Sequence, residues 1–339
     1  MTIFFIKSSS VWKQCHKTFA CCGLKSSFIV REKGSEGLIL RPRVASKELL
    51  LLRSLNARAR LIEKEKQQYY NLEKGYEGEV QFDRYMQQNL LQDRYIVNDL
   101  LLEKNNTKFQ LDSVHIAQST AYYFEIKNYE GDYYIESDRF FTLSGKEILN
   151  PFHQVKRSES LLRQLMNSLG FPLSLESYLI FVNPEFYLYN APKDPSIIFP
   201  NQLNRFMRKL NMKSSVLNTK HLKLAEQLVS LNLVDDPYKR IAPYQYEQLQ
   251  KGILCAQCYS VDVIVKNTKV ICEHCGCSED LDSAVVRSVE ELRLLFPEVR
   301  ITTSMIYDWC RVIESHKTVR RILNQNLTKY GSNKWIYYE

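Results

Sequence analysis

The sequence lacks any apolar run that approaches the ~20 residues needed for a transmembrane helix. Its apolar start ends at Lys7, which is too short for the hydrophobic part of a signal peptide, and the basic segment that precedes such a part is missing. No cysteine lies between Cys22 and Cys255, so the nine cysteines do not suit a disulfide framework spread through a secreted fold. We therefore expect a cytoplasmic protein without a membrane partner.

Internal repeats and low-complexity segments are also missing. The 339 residues are 45% hydrophobic and 25% charged, which is typical of folded globular proteins and excludes a disordered chain. This length suits two or three domains. The net charge of +8 favours a polyanionic partner such as nucleic acid, although many soluble proteins are as basic.

Hydrophobic periodicity predicts a mixed α/β core. A helix, three strands, an added hairpin, a second helix and a further strand are predicted at 74–91, 94–102, 108–117, 120–128, 131–147, 151–169 and 177–183. Without the hairpin, the order is α-β-β-β-α-β. Asn150 and Pro151 suit the N-cap and the first position of the second helix. Two more helices are predicted, at about 201–211 and 219–231.

Six units are predicted along the chain. They are a disordered basic tail at 1–36, a helical lead-in at 37–73, the α/β core at 74–211, a helical connector at 212–250, a cysteine module at 251–283 and a C-terminal unit at 284–339.

The third predicted strand carries a carboxylate and an ammonium group on one face. Strand side chains alternate between faces, so Glu125 and Lys127 project together, away from Phe124. Asp112 lies in the preceding strand, and a turn near Gln118 would bring it close to opposite Glu125. Two carboxylates at that separation repel each other unless a cation lies between them, and such oxygen ligands suit Mg²⁺ or Mn²⁺. An ammonium group beside the ion can hold a water molecule or stabilise a phosphorane-like transition state.

Two further polar side chains are predicted to point into the same region. Glu79 lies at the centre of the inward stripe of the first helix, where a carboxylate is costly unless it is paired or binds a metal ion. Gln154 lies near the azimuth of the leucines of the second helix. Each residue alone has an ordinary alternative, such as a solvated strand face for Glu125 and Lys127. Their order along the chain is what predicts a single site.

The motifs form an ordered set that covers about one third of the chain: Lys74–Glu79, Gln110–Asp112, Phe124–Gly131 and Asn150–Gln154. Together with the α-β-β-β-α-β order, this set resembles the PD-(D/E)xK nuclease superfamily and, more closely, its nuclease-related domain, NERD. The resemblance implies a restriction-endonuclease-like fold in which Asp112 and Glu125 bind the metal ion and Lys127 positions the water. It also implies that Glu79 and Gln154 complete the catalytic site.

The other strong motif is a cluster of cysteines near the C-terminal end of the chain. It contains two Cys-x-x-Cys pairs, which are Cys255 with Cys258 and Cys272 with Cys275. Two such pairs at the ends of a predicted hairpin form the tetrahedral sulfur site of a zinc ribbon, so we predict structural Zn²⁺. Cys277 could replace Cys275 as a ligand, and His274 is a lesser alternative. The alternative interpretation is that these cysteines bind no metal ion and are free thiols or a redox pair.

Residues 284–339 are predicted to hold two short helices and a Tyr-rich turn and strand. The helices, at 301–313 and 318–326, each have an apolar face, and the arrangement resembles a helix-turn-helix with a wing. Four polar residues would then meet phosphates and base edges: Lys317, Arg320, Arg321 and Gln325. An ordinary helical hairpin with solvated basic residues is the alternative.

The sequence therefore predicts a nuclease that uses Mg²⁺ or Mn²⁺ to hydrolyse phosphodiester bonds in DNA, in DNA processing or repair. The zinc ribbon and the C-terminal helices would guide it to the duplex. The residues do not distinguish DNA from RNA as the substrate. Two other functions fit the same pattern, namely a catalytically silent nuclease fold that binds nucleic acid and a transcription-related regulator.

Overall fold

The computed structural model describes residues 37–234 and 241–339. The tail predicted at 1–36 lies outside the described residues. Within these two ranges, the chain forms a mixed α/β core around a six-stranded sheet, a smaller four-stranded sheet, and a helical C-terminal part that carries the cysteine cluster. No helix in the described ranges is both long and apolar enough to cross a membrane.

The helices and strands of the described residues follow one another along the chain. They are β1 (Gly37–Arg41), α1 (Lys47–Arg58), α2 (Glu63–Asn89), β2 (Arg94–Lys104), β3 (Thr107–Ile116), β4 (Thr120–Lys127), β5 (Gly131–Glu136), β6 (Arg139–Thr142), β7 (Glu147–Ile148), α3 (Pro151–Ser168), β8 (Ser174–Phe181), β9 (Phe186–Tyr189), β10 (Ile197–Ile198), α4 (Leu203–Asn211), α5 (Thr219–Ser230), β11 (Val263–Lys266), β12 (Lys269–Cys272), β13 (Ser278–Asp280), α6 (Leu281–Leu295), α7 (Thr303–Cys310), α8 (His316–Asn326), β14 (Lys329–Tyr330) and β15 (Tyr337–Tyr338).

The central sheet has the strand order β1-β2-β3-β4-β8-β10. Strands β2, β3 and β4 are antiparallel to one another, and β8 lies parallel to β4 because the chain crosses over through α3. Every residue of β4 except the last is buried, as expected for a strand covered on both faces. The predicted α-β-β-β-α-β order is confirmed.

Helices cover both faces of the central sheet. On one face, Phe82 of α2 and Phe206 of α4 pack against Phe124 of β4. On the other face, Leu162 of α3 and Leu228 of α5 belong to a single buried cluster. The sheet is thus the middle layer of a three-layer core, and alternate residues of β4 face different helices.

The smaller sheet has the order β7-β6-β5-β9, and its strands β5, β6 and β7 follow directly after β4. It contains the hairpin predicted at 131–147, with β9 added parallel to β5. Aromatic rings join it to the central sheet, since the ring centre of Phe186 lies 5.5 Å from that of Tyr133 and 4.0 Å from that of Phe181. After β7, the chain leaves this sheet and begins α3 close to the end of β4.

The C-terminal part has its own hydrophobic core, and α1 belongs to it. Leu51 of α1 is fully buried in the cluster that contains Trp309 of α7. Arg58, at the end of α1, forms an ion pair with Glu291 at 2.7 Å, and its guanidinium lies 4.1 Å from the ring centre of Trp309. The segment predicted as a helical lead-in at 37–73 therefore divides, with β1 in the central sheet and α1 in the C-terminal core.

Two predicted boundaries fall inside structural units. Helix α6 crosses the boundary predicted between residues 283 and 284, so the cysteine module and the C-terminal helices share one core. Helix α5, in the predicted connector at 212–250, packs on the central sheet through Leu224 and Leu228. Hydrophobic periodicity identifies such helices, but it does not show which element their apolar face will meet.

Candidate active site

Asp112 and Glu125 lie side by side on the adjacent strands β3 and β4. The register ends with the pair Ser113 and Phe124, so Asp112 and Glu125 are the next residues on the two strands. Asp112 Oδ2 accepts a hydrogen bond from the backbone N–H of Ile126 at 2.8 Å. Asp112 is 6% exposed and Glu125 is 0% exposed, so this carboxylate pair is buried within the core.

Lys127 and Gln154 join the pair from the end of β4 and the first turn of α3. Lys127 Nζ donates to Glu125 Oε1 at 2.6 Å and to Gln154 Oε1 at 3.1 Å. The start of α3 is held by Asn150, whose side chain accepts from the N–H of Phe152 at 2.9 Å. The structure thus brings together the side chains of Glu125, Lys127 and Gln154.

The carboxylates of this site are crowded in a poorly solvated environment. The Tyr123 hydroxyl donates to Glu125 Oε2, so both oxygens of Glu125 are engaged. Burial, followed by the negative charge of Asp112, raises the pKa of Glu125 to about 7. The same two causes, in the same order, raise the pKa of Glu79 to about 8. A bound cation would stabilise such a group of acids.

Glu79 is bound by an arginine that local sequence patterns do not indicate. Arg43, just after β1, donates from Nη1 to Glu79 Oε2 at 2.9 Å. The same guanidinium bonds Asp83 at 2.7 Å and Asp99 at 2.6 Å. Asp83 lies one turn after Glu79 on the same helical face, which is a signal present in the sequence. Nothing local marks Arg43 or Asp99.

The sequence does not predict the position of Asp99, because the side chains of β2 and β3 do not alternate regularly near this residue. On each strand, two residues of the hydrophobic cluster that contains the α3 leucines are three positions apart instead of two. They are Val97 and Leu100 on β2, and Leu111 and Val114 on β3. Asp99 itself has a left-handed backbone with φ of 54°. Strict alternation of side chains therefore fails where the site is built.

Close contact between α2 and the end of β4 depends on Gly78. A methyl group added there would overlap Cβ of Asn128 and would lie 3.2 Å from Val182 Cγ2. Asn128 also donates from Nδ2 to the carbonyl of Lys74 at 2.8 Å, which ties the strand to the helix. This close approach sets how near Glu79 comes to the acids on the strands.

Gly78→Ala is expected to destabilise the protein by about 1–3 kcal/mol, because α2 must move away from β4 or strain it. Gly75→Ala is the matched control on the same helix. Apart from its chain neighbours and the backbone of its own helix, nothing lies within 4 Å of a methyl group at Gly75, and alanine is the better helix former. Urea unfolding, monitored by circular dichroism, measures both variants. Equal midpoints would contradict a close-packing role for Gly78.

The oxygens of Asp112 and Glu125 are a donor set that fits Mg²⁺ or Mn²⁺. In the described ranges, the cysteine cluster is the one group of three or more potential ligands whose donor atoms all lie within 4.8 Å of one another, so the carboxylates of the acidic site are not gathered as closely as that. In the acidic site, carboxylate oxygens bond to Lys127, Tyr123 and Arg43. A metal ion here would draw on Asp112 and Glu125 and would complete its coordination with water or a phosphate oxygen.

The C-terminal part carries the cysteine cluster at the ends of the β11–β12 hairpin. Its members are Cys255, Cys258, Cys272 and Cys275. Two of the distances between their Sγ atoms are 3.6 Å, close to the edge of about 3.8 Å for a tetrahedron of thiolates around zinc. Tyr259 and Gly276, which each follow the second cysteine of a pair, both have a left-handed backbone, so the two pairs form similar turns. The cluster is consistent with a zinc-ribbon-like module.

Cys277 and His274 are not members of this quartet. Cys277 directly precedes β13, and its carbonyl accepts a hydrogen bond from the N–H of Cys272 at 2.9 Å. Of the two alternatives that the sequence leaves open, the structure places Cys275 in the cluster.

The predicted pair of C-terminal helices is present as α7 and α8, and β14 pairs with β15 after them. The predicted contact residues are exposed on α8: Lys317, Arg320, Arg321 and Gln325. Arg321 is already engaged within the protein, because it forms an ion pair with Asp282 at 2.8 Å and donates to Gln325. Contact with DNA through this residue would therefore require the exchange of an ion pair.

Comparison with known proteins supports the predicted resemblance to a nuclease-related domain. The family model of the nuclease-related domain, NERD, matches residues 74–182. The curated proteins and the solved structures contain no match to the chain. The matched segment includes five predicted site residues: Glu79, Asp112, Glu125, Lys127 and Gln154. Arg43 and the cysteine cluster lie outside it. Over residues 74–182, the chain is similar to a nuclease-related domain.

Proposed function

We propose that the protein is a nuclease that hydrolyses phosphodiester bonds in DNA with Mg²⁺ or Mn²⁺. The observation that carries this proposal is the buried pair Asp112 and Glu125 with the half-buried Lys127, which bonds Glu125 and Gln154 of α3. Burying two carboxylates and an ammonium group together contributes little to stability, so such a group is better explained by chemistry. The similarity of residues 74–182 to a nuclease-related domain supports the same class of activity.

Each side chain has a role in this proposal. Asp112 and Glu125 would hold the divalent ion, which would supply Lewis-acid chemistry for phosphodiester hydrolysis. Lys127 orients the attacking water, and its charge stabilises the extra negative charge of the transition state. Gln154 holds the ammonium group through the 3.1 Å hydrogen bond, so Lys127 is oriented before the substrate binds. Glu79 completes the acidic wall of the site from α2.

The C-terminal part would guide the substrate to this site. Four thiolates leave no open coordination position, so the cysteine quartet would bind Zn²⁺ as a structural site. The exposed residues of α8 would contact phosphates and base edges. We place this activity in DNA processing or repair, with RNA as the alternative substrate.

One observation favours a second candidate function, a catalytically silent nuclease fold that binds nucleic acid. Arg43 forms ion pairs with three acidic side chains around the site and so balances part of their negative charge. In that case, a gel shift of DNA would survive Asp112→Ala and Glu125→Ala, and no metal ion would support cleavage.

A panel of substrates tests the nuclease proposal directly. Zinc-loaded protein is incubated with plasmid, linear, branched and single-stranded DNA and with RNA, with Mg²⁺, with Mn²⁺ and without either ion. Cleavage of at least one DNA substrate is expected with the divalent ion and none without it. Folded protein that cuts no substrate with either ion would overturn the proposal, and the gel shift then decides on the alternative.

A further inference from the structure

Arg43 is surrounded by three carboxylates from two different elements. Its Nε and Nη2 meet the two oxygens of Asp83 at 2.7 and 3.1 Å. Its Nη1 is shared between Glu79 at 2.9 Å and Asp99 at 2.6 Å. The side chain of Arg43 is only 3% exposed, while the three carboxylates are 19–20% exposed. A buried guanidinium with four directed bonds is an integral part of the fold, unlike a surface ion pair.

The backbone fixes Arg43 in this position. The residue follows β1, which lies parallel to β2 at the edge of the central sheet. On one side, Arg41 donates from Nε to the carbonyl of Asn98 at 2.9 Å. On the other side, the N–H of Val44 donates to Asp99 Oδ2 at 3.1 Å. The chain is therefore bonded to β2 both before and after Arg43.

The group around Arg43 is continuous with the candidate metal site. Asn98 donates to Asp83 Oδ2 at 3.4 Å and accepts from Ser113 Oγ at 2.7 Å. Ser113 is the chain neighbour of Asp112. The charge of Asp112 also acts on each of the three carboxylates that Arg43 binds. The two groups thus share one electrostatic environment.

We propose, on the basis of the proposed nuclease function, that Arg43 is a positioning residue and a fixed cation, so that the site holds a single divalent ion. Some phosphoryl-transfer sites hold two ions about 3.5–4 Å apart. A second ion here would need oxygens of Glu79 or Asp99, and the guanidinium already bonds one oxygen of each. A divalent ion that close to a guanidinium would also be repelled by it. Arg43 takes the place of a second ion and keeps Glu79 in a fixed orientation.

Binding of Mn²⁺ to the full zinc-loaded chain counts the ions without requiring cleavage. The electron paramagnetic resonance signal of free Mn²⁺ gives the stoichiometry and the affinity. We expect wild-type protein to bind one Mn²⁺ tightly and Asp112→Asn to lose it. Arg43→Met is expected to bind a second Mn²⁺, because three carboxylates are then left without their cation. No tight Mn²⁺ in wild-type protein would overturn the proposed function, whereas two would overturn the single-ion inference alone.

Arg43→Lys keeps the inference testable if Arg43→Met does not fold. Lysine retains the charge but cannot reproduce the paired bonds to Asp83, so we expect one Mn²⁺ bound about tenfold more weakly. Arg163→Met is the control for the loss of an arginine charge, since Arg163 pairs with Glu159 one turn away on α3 and its side chain is 49% exposed, and it is expected to keep the wild-type stoichiometry and affinity. Wild-type stoichiometry and affinity in the folded Arg43 variants would overturn the role of Arg43.

Discussion

Lys127→Ala is expected to lower the rate of metal-dependent DNA cleavage by about 10³-fold, the scale seen when one preorganised donor to the transition state is removed. Lys127 Nζ bridges Glu125 and Gln154, at 2.6 and 3.1 Å, beside a carboxylate that is fully buried. In such surroundings, an ammonium group stabilises developing negative charge far more strongly than it would in water. Single-turnover cleavage at saturating Mn²⁺ measures the effect on the chemical step.

A lysine between α4 and α5 provides the control for this prediction. Lys213 forms an ion pair with Glu176 of β8 at 2.6 Å, the same distance as in the Lys127–Glu125 pair. Its side chain is 43% exposed, compared with 17% for Lys127, so we expect Lys213→Ala to cleave at the wild-type rate. Circular dichroism separates a loss of chemistry from a loss of folding. Wild-type cleavage by folded Lys127→Ala would refute the proposed role of the ammonium group.

Cys272→Ser is expected to unfold the C-terminal core. Cys255 and Cys272 are 4% and 2% exposed, and they belong to the same hydrophobic cluster as Trp309. Binding of zinc by such a ligand set contributes on the order of 10 kcal/mol to folding, which is comparable with the whole stability of a domain. Loss of bound zinc and a red shift of tryptophan fluorescence, as Trp309 becomes exposed to water, would report the unfolding.

Loss of zinc is also expected to lower cleavage, because α2 connects the two parts of the protein. Leu72 of α2 packs on the C-terminal core, and Glu73 forms an ion pair with Arg53 of α1 at 2.6 Å. Glu79 lies two turns beyond Leu72 on the same helix. Unfolding of the C-terminal core would therefore release the helix that carries Glu79.

Cys277→Ser is the matched control for the zinc prediction. Cys277 is two residues from the quartet but is not a member of it, so this variant is expected to retain zinc and the wild-type fluorescence. The structural role of the cluster would be ruled out by a zinc-free Cys272→Ser protein in which Trp309 remains buried.

Local sequence patterns by themselves determined the parts of this protein that depend on one element or on one hairpin. Strand alternation places Glu125 and Lys127 on one face, and helix periodicity turns Glu79 inward. The turn between β3 and β4 is short enough to set the register up to Ser113 and Phe124, the residues next to Asp112 and Glu125. The spacing of the cysteine pairs likewise determines the turns that gather the quartet. These relations extend over a few residues, so the sequence contains them.

Only the tertiary structure decided the partners of these elements. Arg43 reaches Glu79 and Asp99 across 36 and 56 residues of sequence. Asp99 lies where β2 departs from alternation, and α1 packs in the C-terminal core although it precedes the nuclease-like domain in sequence. Periodicity reports which face of an element is buried, but several surfaces can bury the same face. The packing of the whole chain decides among those surfaces. It also places a second charged group, Arg43 with Asp83 and Asp99, next to the acids of the site.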